Sequence, residues 1–568
     1  MRKLFTIVLI ICNAFSIAAQ NKNPRWLNNV SKAIFTIEAT SKEGATKTGA
    51  GFFISENGEA VSSYGIFKNA ETAVAITSDG EKLQITQILG ADDMYGVIRF
   101  SVSVNKKTTF LAVAKNSPVI NSTAYLPPSR DNKDLVFGAV SEISKIKSAY
   151  DYYKVEFPLP ASQEGFPLLN EAGEVLALSQ VDASGQGKTY GIAISYIQSL
   201  EATATDMFNK TYTDIGIRKA WASDIDDAQI SLLLHASQQD PSTYLETLND
   251  FVKTFPGNPE SYYNRASHYV NFRGQLASSE IEKTKMLDLA WSDLENMEKY
   301  SNNKGDAFYN KADLIFRVIA NDSTLQSNIW NKKSLEENLQ KAIKQQDLPE
   351  YRKLEGDIAF SNGDFEKAYN LYSIVNKSPA ASGSSYYLAA ASLRQIDGYN
   401  PLEVIDLIDS AIYNSTIGEA EMYILENVDL KMQNGLYEQA VNDYNLYYQI
   451  TDGKVTAQFY YLREQAKFRS NNYEGALIDI DRALSMDGSN ALYHTEKASV
   501  HLRLTEFVKA QECAEKAIVI QPDFAAAYRI LGISLVRQDK KPEACKHFEK
   551  AKDLGDPVAE RLINENCN

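Results

Sequence analysis

Two different periods of apolar residues divide the chain. From about Lys32 to Ile194, short apolar or alternating runs such as "AIFTIEA", "TAVAITSDGEKLQITQIL" and "VLALSQV" are separated by the turn sequences "ENG", "SDG" and "EAG". Alternation with a period of two between Gly-containing and Asn-containing turns is typical of antiparallel strands. This part is therefore predicted to be an all-β barrel or sandwich. Beyond Gln198 the spacing of apolar residues becomes helical.

The helical part repeats itself. An alanine-type position, followed four and seven residues later by aromatic or small residues, recurs every 34 to 36 residues. The six positions are Ala368, Val404, Ala440, Ala476, Ala510 and Ala544. A period of about 34 residues is typical of tetratricopeptide (TPR) helix pairs, so residues 349–568 resemble about six TPR repeats. Residues 201–348 keep helical spacing without a clean motif, and we expect degenerate TPR-like repeats that cap the array.

A second resemblance concerns the β part. The stretch "LPASQEGFPLLNEAGEVLALS", residues 159–179, predicts a β-hairpin because Asn170 and Gly173 supply a turn between apolar runs. It resembles the nucleophile hairpin of HtrA-like, trypsin-fold serine proteases, G-N-S-G-G-P-L-L-N-x-x-G-E-V-x-G. The segments "TGAGFFISENGEAVSSYGIF", "DDMYGVIRF" and "TYGIAIS" resemble other framework segments of that family. The resemblance covers about residues 25–200 and implies a trypsin-like double β-barrel.

The catalytic triad of that family is not preserved. The resemblance places the family's histidine, aspartate and serine at Gly65, Met94 and Glu164. Serine attack needs a base to take the proton and a carboxylate to orient that base, and the three replacements supply neither function. Independently of the alignment, residues 21–200 contain no histidine and no cysteine. We therefore predict an inactive protease homologue. A serine-type endopeptidase that acts through unrecognised residues, such as a Ser-Lys pair, is the alternative.

Glu164 has two interpretations. Its carboxylate is either solvated on the loop or folded onto the backbone N–H groups of the loop, where an oxyanion hole would otherwise accept substrate. No cofactor or metal is predicted, because the sequence lacks ligand spacings such as H-E-x-x-H or C-x-x-C.

The N-terminus has the pattern of a secretory signal peptide, assigned to residues 1–20. Arg2 and Lys3 precede an apolar run, and small residues Ala18 and Ala19 precede a polar stretch. We expect export to the periplasm or cell envelope. No later run reaches the roughly 18 apolar residues of a transmembrane span.

Charge is unevenly distributed along the chain. Residues 1–200 carry 19 basic and 18 acidic residues, which leaves 39 of the 58 basic and 55 of the 73 acidic residues for the helical part. An acidic surface repels phosphate backbones, so nucleic acid is not an expected partner. The inner wall of a TPR array fits extended peptides or partner helices, and protein or peptide partners are therefore expected.

One row of basic residues departs from this acidity. Three arginines fall at one repeat position, 34 residues apart: Arg469, Arg503 and Arg537. They either bridge neighbouring acidic residues, for which Asp479, Asp481 and Glu543 are candidates, or form a row that binds carboxylates of a peptide. Further contact candidates on the inner wall are Tyr460 and Tyr528.

Three cysteines, Cys513, Cys545 and Cys567, lie in the last 60 residues. Their odd number leaves at least one thiol unpaired. Cys513 and Cys545 are interpreted first as small helix-packing residues and second as a disulfide. The combined hypothesis is a secreted, non-catalytic adaptor, with a periplasmic chaperone-like peptide binder as a further alternative.

Overall fold

The structure is a computed structural model that describes residues 24–182, 186–322 and 325–567. The predicted signal peptide lies outside these residues. The chain divides into two compact units, with the boundary between Tyr300 and Ser301. None of the helices in the described ranges is long and apolar enough to cross a bilayer.

Twelve β-strands lie in the described residues of the first unit. A short helix, α1 (Leu27–Ala33), precedes them, and α2 (Tyr64–Phe67) follows the third strand. The strands are β1 (Ile34–Ser41), β2 (Thr46–Phe53), β3 (Glu59–Ser63), β4 (Ala70–Ile76), β5 (Lys82–Asp92), β6 (Val97–Val102), β7 (Thr123–Leu126), β8 (Val136–Ile146), β9 (Tyr150–Val155), β10 (Pro167–Leu169), β11 (Val175–Val181) and β12 (Thr189–Ala193).

The strands form two closed antiparallel barrels of six strands each. The first has the order β1-β2-β3-β6-β5-β4, and the second has the order β7-β8-β9-β12-β11-β10. Subtracting six from each number of the second ring reproduces the first, so the two barrels share one topology. This arrangement confirms the predicted double β-barrel.

Alternation along the strands explains the apolar interiors. In β1, for example, Phe35, Ile37 and Ala39 point into the first barrel and are at most 3% exposed. The two barrels also share a core of their own, in which Phe52 of the first barrel packs in one cluster with Leu178 of the second. The barrels therefore form one packed body with a cleft at their junction.

The predicted hairpin joins β10 to β11. Its turn is closed by the Gly173 backbone N–H, which donates to the Asn170 carbonyl at 3.0 Å. The Asn170 side-chain oxygen accepts from the N–H groups of Ala172 and Glu174 at 2.9 Å each. Gly173 has φ +81° and lies beneath the ring of Trp26, so both its backbone conformation and its lack of a side chain are required. The predicted turn chemistry is confirmed.

The β part extends past the boundary predicted at residue 200. After α3 (Ile194–Ser199), residues 201–222, which include the short helix α4 (Lys210–Thr213), remain on the first barrel. Tyr212, Ile215 and Ile217 are buried in its core. The Ile88 N–H and carbonyl bond to the backbone of Arg218 and Ala220, both at 2.8 Å. The segment completes the barrel although no alternating pattern marks it in the sequence.

Helix pairs begin within the first unit, in the region predicted to hold degenerate repeats. Its helices are α5 (Ile225–Ala236), α6 (Pro241–Thr254), α7 (Pro259–Leu276) and α8 (Glu280–Tyr300). The second unit consists of α9 (Lys304–Asn321), α10 (Lys332–Gln345), α11 (Pro349–Ser361), α12 (Phe365–Val375), α13 (Gly383–Leu393), α14 (Pro401–Tyr413), α15 (Ile417–Gln433), α16 (Tyr437–Ile450), α17 (Ala457–Arg469), α18 (Tyr473–Met486), α19 (Ala491–Arg503), α20 (Phe507–Ile520), α21 (Ala525–Val536), α22 (Lys541–Asp553) and α23 (Ala559–Asn566).

The six predicted repeats correspond to the pairs α11/α12 through α21/α22. All six alanine-type positions lie in the second helix of their pair and are 0% exposed. Small residues at these points let the two helices approach, as Gly532 does against the ring of Phe548. The predicted repeat register is confirmed.

The cysteines differ in part from the prediction. Cys513 is free and buried among apolar residues, as expected for a packing residue. Cys545, however, forms a disulfide with Cys567, so both interpretations of Cys545 are wrong. Helix α23 folds back on α22 and brings Cys567 beside it, and the repeat pattern does not indicate this return.

Candidate functional site

The cleft between the two barrels contains two of the three triad positions. It has a volume of 1140 Å³ and is lined from one side by Ser63 and Gly65 and from the other by Ser162 and Glu164. A Cβ placed on Gly165 would lie only 3.5 Å from the Ser63 backbone nitrogen, which shows how closely the two loops approach. The fold therefore brings Gly65 and Glu164 together as the resemblance implies.

Met94 is not brought to this cleft. It lies in the turn between β5 and β6, its side chain is 80% exposed, and it is absent from the described lining. The predicted aspartate position thus contributes neither a charge nor a contact to the cleft.

The Glu164 carboxylate is exposed and accepts no hydrogen bond from any described residue. This matches the solvated carboxylate and not the carboxylate that closes an oxyanion hole. Its loop is held by Gln163, which is 0% exposed and donates from Nε2 to the Pro127 carbonyl at 2.9 Å. Ser179 Oγ donates to the Gln163 carbonyl at 3.0 Å. A buried glutamine thus fixes the loop that the family builds from glycines.

The cleft retains hydroxyl groups and one amine beside Gly65. Lys47 Nζ donates to the carbonyls of Gly65 and Lys68 at 3.1 and 2.9 Å. No imidazole or thiol is available from residues 24–200. The cleft can accept a polar chain segment, but it lacks the conventional base for activating a serine.

In the helical array, the predicted arginine row is exposed. Arg469 lies 5.7 Å from the ring centre of Tyr437, and Arg503 lies 5.6 Å from that of Phe468. Both rings belong to the preceding repeat. Across the described ranges, neither these two arginines nor Arg537 has an acidic side chain within 4.0 Å.

The expected bridges to acidic residues are therefore wrong. Asp479 binds Arg463 and Lys467 instead, at 2.6 and 2.7 Å, and Asp481 binds Lys497 at 2.6 Å. Arg469 and Arg503 contact the preceding repeat through aromatic rings, and their guanidinium N–H groups stay available for other acceptors.

The two tyrosines predicted on the inner wall are half-buried and engaged in packing. The Tyr460 ring lies 6.2 Å from that of Tyr448, and burial raises its pKa. The Tyr528 hydroxyl donates to the Pro522 carbonyl at 3.1 Å. Tyr460 therefore packs against the preceding repeat, whereas Tyr528 bonds to the loop just before its own helix.

Sequence reasoning missed a recurring buried ion pair. Arg463 donates to both oxygens of Asp479 at 2.8 and 2.6 Å. One repeat earlier, Lys431 contacts Asp409 and Asp443 at 2.6 and 2.8 Å. Asp443 and Asp479 are 36 residues apart, as are Lys431 and Lys467, so the alanine spacing could have revealed them.

Two barrels of identical strand order followed by helix pairs with buried small residues define a trypsin-like double barrel joined to a TPR-type array. No family model matches the chain. It is 29% identical over 110 residues to small glutamine-rich tetratricopeptide repeat-containing protein 2 of Saccharomyces cerevisiae, which covers 19% of this chain and 32% of that protein. It is 26% identical over 89 residues to stress-induced-phosphoprotein 1 of Caenorhabditis elegans, which covers 16% and 26%. The alignments thus span about a third or less of these relatives.

Two solved structures are similar to this chain. One is an HtrA-type protease with tripeptide, at 13% identity and a TM-score of 0.27, covering 32% of this chain and 62% of that chain. The other is the serine endoprotease from Yersinia pestis, at 15% identity and a TM-score of 0.27, covering 34% and 69%. The assignment of the architecture rests on the strand order and helix pairing.

Proposed function

We propose that this protein is a non-catalytic scaffold that binds protein or peptide partners through its TPR-type array and carries a pseudoprotease double barrel. The observation that supports this most directly is the cleft, in which Gly65 occupies the place of the general base. Residues 24–200 contain no imidazole that could act in its place. The signal-peptide pattern of residues 1–20 supports a location in the periplasm or cell envelope as part of this proposal.

The array contributes the partner-binding surface. Arg469 and Arg503 are held over rings without an acidic partner, which leaves their N–H edges free to bind carboxylates. Guanidinium groups bind carboxylates through two parallel hydrogen bonds, so an acidic segment of a partner is the expected ligand.

The alternative, a serine endopeptidase, has a direct test. A fluorophosphonate probe reacts with an activated serine and should leave the protein unlabelled. The cleft hydroxyls of Ser63 and Ser162 are the groups to inspect by peptide mapping. Labelling of any serine in residues 24–200 would overturn the proposal, and an active trypsin-fold protease labelled in parallel is the control.

Restoring the triad should not restore proteolysis. The triple variant Gly65→His, Met94→Asp and Glu164→Ser has room at residue 65, where a Cβ meets only Ser63 Oγ at 3.8 Å. Position 94, however, faces solvent, and buried Gln163 fixes the loop. Casein hydrolysis at rates typical of the family would show that these structural differences are unimportant.

A peptide-holding chaperone differs from an adaptor in the breadth of its ligands. Affinity purification of the full chain from its native host should recover a small set of partners. Recovery of many unrelated unfolded proteins would favour the chaperone.

A further inference from the structure

A second cavity lies within the first unit, away from the cleft. It has a volume of 460 Å³ and is enclosed by residues 202–221, which complete the first barrel, and by helices α5 and α6. Its size falls in the range of small-molecule sites. Its lining includes Tyr212, Lys219, Trp221, His235 and Asp250.

Two of the acidic groups in this cavity are already occupied. Asp250 accepts from Trp221 Nε1 at 2.6 Å and pairs with Arg218. Asp206 accepts from the backbone N–H and hydroxyl of Thr203 at 2.6 and 2.9 Å. The third lining carboxylate belongs to Glu246, which is an exposed residue of α6.

Lys219 differs from these groups. Its Nζ donates to the Ile215 carbonyl, but within the described ranges it has no acidic side chain within 4.0 Å. Burial lowers the pKa of Lys219, and the more distant Glu71 carboxylate opposes this shift only in part, so the ammonium group is poorly solvated. A partly buried cation bound to one carbonyl has N–H groups left for an anion.

The wall beside Lys219 is aromatic and fixed. The Trp221 ring packs edge-to-face on Phe251 at 4.9 Å and on His235 at 5.8 Å. Its N–H bond to Asp250 sets its orientation. Burial lowers the pKa of His235, so this imidazole is predominantly neutral near pH 7 and adds apolar and hydrogen-bonding surface.

We propose that this cavity binds a small organic acid, with its carboxylate on Lys219 and its apolar, ring-sized body against Trp221. The carboxylate would accept hydrogen bonds from Lys219 Nζ as a nearer counter-ion than Glu71, which acts on Lys219 from beyond 4.0 Å, and the indole would cover the body. This proposal is independent of partner binding by the array.

The test compares phenylacetate with phenylacetamide, which has the same shape without the charge. Binding to the full chain is measured by ligand-observed NMR and by tryptophan fluorescence. The acid should bind at least about tenfold more tightly than the amide, a difference of about 1.4 kcal/mol. Equal binding of the two, or no binding of the acid at about 10 mM, would overturn the proposal.

Variants locate the site. Lys219→Met should abolish the preference for the acid, whereas Lys219→Arg should retain it. Lys253→Met is the matched control, because Lys253 is an exposed residue of α6 outside the cavity lining. An unchanged preference in Lys219→Met would contradict the assignment. If that variant fails to fold, the comparison of acid and amide on the natural protein still decides.

Discussion

The barrels and the repeat array place charged side chains differently. In the described residues of 24–200, Asp151 is the one charged residue that is buried, at 8% exposure. The repeats bury Lys431, Arg463, Glu464 and Asp479, all at 8% or less. A barrel satisfies its backbone between strands and turns alternate side chains inward, so its core is apolar. Two packed helices leave space between them in which the charged ends of long side chains can form ion pairs.

The difference has an energetic consequence. Apolar substitution of a complete buried ion pair is often neutral, but removal of one partner leaves an uncompensated buried charge. Exposed pairs contribute at most about 1 kcal/mol. The stability of the repeats should therefore be most sensitive to substitution of a few buried polar residues. The stability of the barrels should be most sensitive to substitutions that disturb side-chain packing or a required backbone conformation.

The largest expected effect is at Asp479, which is 1% exposed and balances both Arg463 and Lys467. Asp479→Ala should destabilise the array by about 3–5 kcal/mol. Asp481→Ala is the control, because this aspartate is 49% exposed although its bond to Lys497 is equally short. Denaturant unfolding followed by far-UV circular dichroism measures both. Equal losses in the two variants would remove the distinction between buried and exposed pairs.

The second effect is a pH dependence that arises from a buried carboxyl group of the repeats. Burial raises the pKa of Glu464 to about 8, Gln465 donates to one of its oxygens at 2.7 Å, and the other oxygen has no partner. The ordinary pKa of this carboxyl group is 4.5. Between pH 4.5 and about pH 8, the folded state therefore keeps a proton on Glu464 that the unfolded state has lost. The stabilising contribution of Glu464 is therefore full below pH 4.5 and falls as pH rises towards 8, by at most about 1.4 kcal/mol per pH unit.

Glu464→Gln should flatten this dependence, because a neutral amide needs no proton. Burial also raises the pKa of Glu496 and lowers that of His547, and these two contributions to the residual slope have opposite signs. Glu474→Gln, at an exposed position in α18, should leave the slope unchanged. Melting temperatures between pH 5 and 8 give the comparison. A slope in Glu464→Gln as steep as that of the natural protein would contradict the assignment.

The pattern of apolar residues predicted both architectures because it records the same forces that form them. Alternation reports the inward face of a strand, and the six small residues report where helices touch. The short strand β7 was not predicted, since four residues carry too little alternation. Residues 201–222 were not predicted to remain on the barrel, because their contacts are made with distant strands.

The candidate sites were predicted less completely, for a related reason. Gly65 and Glu164, singled out from the resemblance, line one cleft, because strand topology fixes where their loops meet. Met94 lies outside the described lining of that cleft. This position could not be predicted, because framework motifs do not encode the direction in which a single turn residue points. Buried Asp479 and Lys219, which lines the cavity, are polar residues. The hydrophobic pattern of a sequence does not distinguish a buried polar residue from a solvated one, so neither position was predicted.

A smaller effect tests the barrels. Gly173→Ala adds a Cβ 2.5 Å from Trp26 Cγ at a residue with φ +81°. Gly80→Ala imposes the same backbone strain at φ +86° with no atom within 4 Å. The strain costs about 1–2 kcal/mol in each, and the collision with Trp26 adds about 1–3 kcal/mol to Gly173→Ala alone. Near-UV circular dichroism melts report the barrels, and equal losses would show that Trp26 moves aside freely.

The smallest effect on stability is expected for the arginine row. The triple variant Arg469→Ala, Arg503→Ala and Arg537→Ala removes two ring contacts, each worth about 0.5–1 kcal/mol at exposed sites. The matched control removes three exposed lysines of the second helices, Lys516, Lys546 and Lys550, and changes the net charge equally.

Partner capture and melting must be measured on the same preparations, because together they separate the two roles of the row. If the guanidinium groups bind a partner's carboxylates, the arginine variant loses capture with a melting temperature only a few degrees lower, while the lysine variant keeps both. Capture by the natural protein should also weaken with salt, since exposed ion pairs are screened. If the arginines serve only to join repeats, melting falls and capture by the folded fraction persists. Undiminished capture at low salt would therefore exclude the row as the binding surface and turn attention to the apolar residues exposed on α15, Met422 at 67% and Leu425 at 40%.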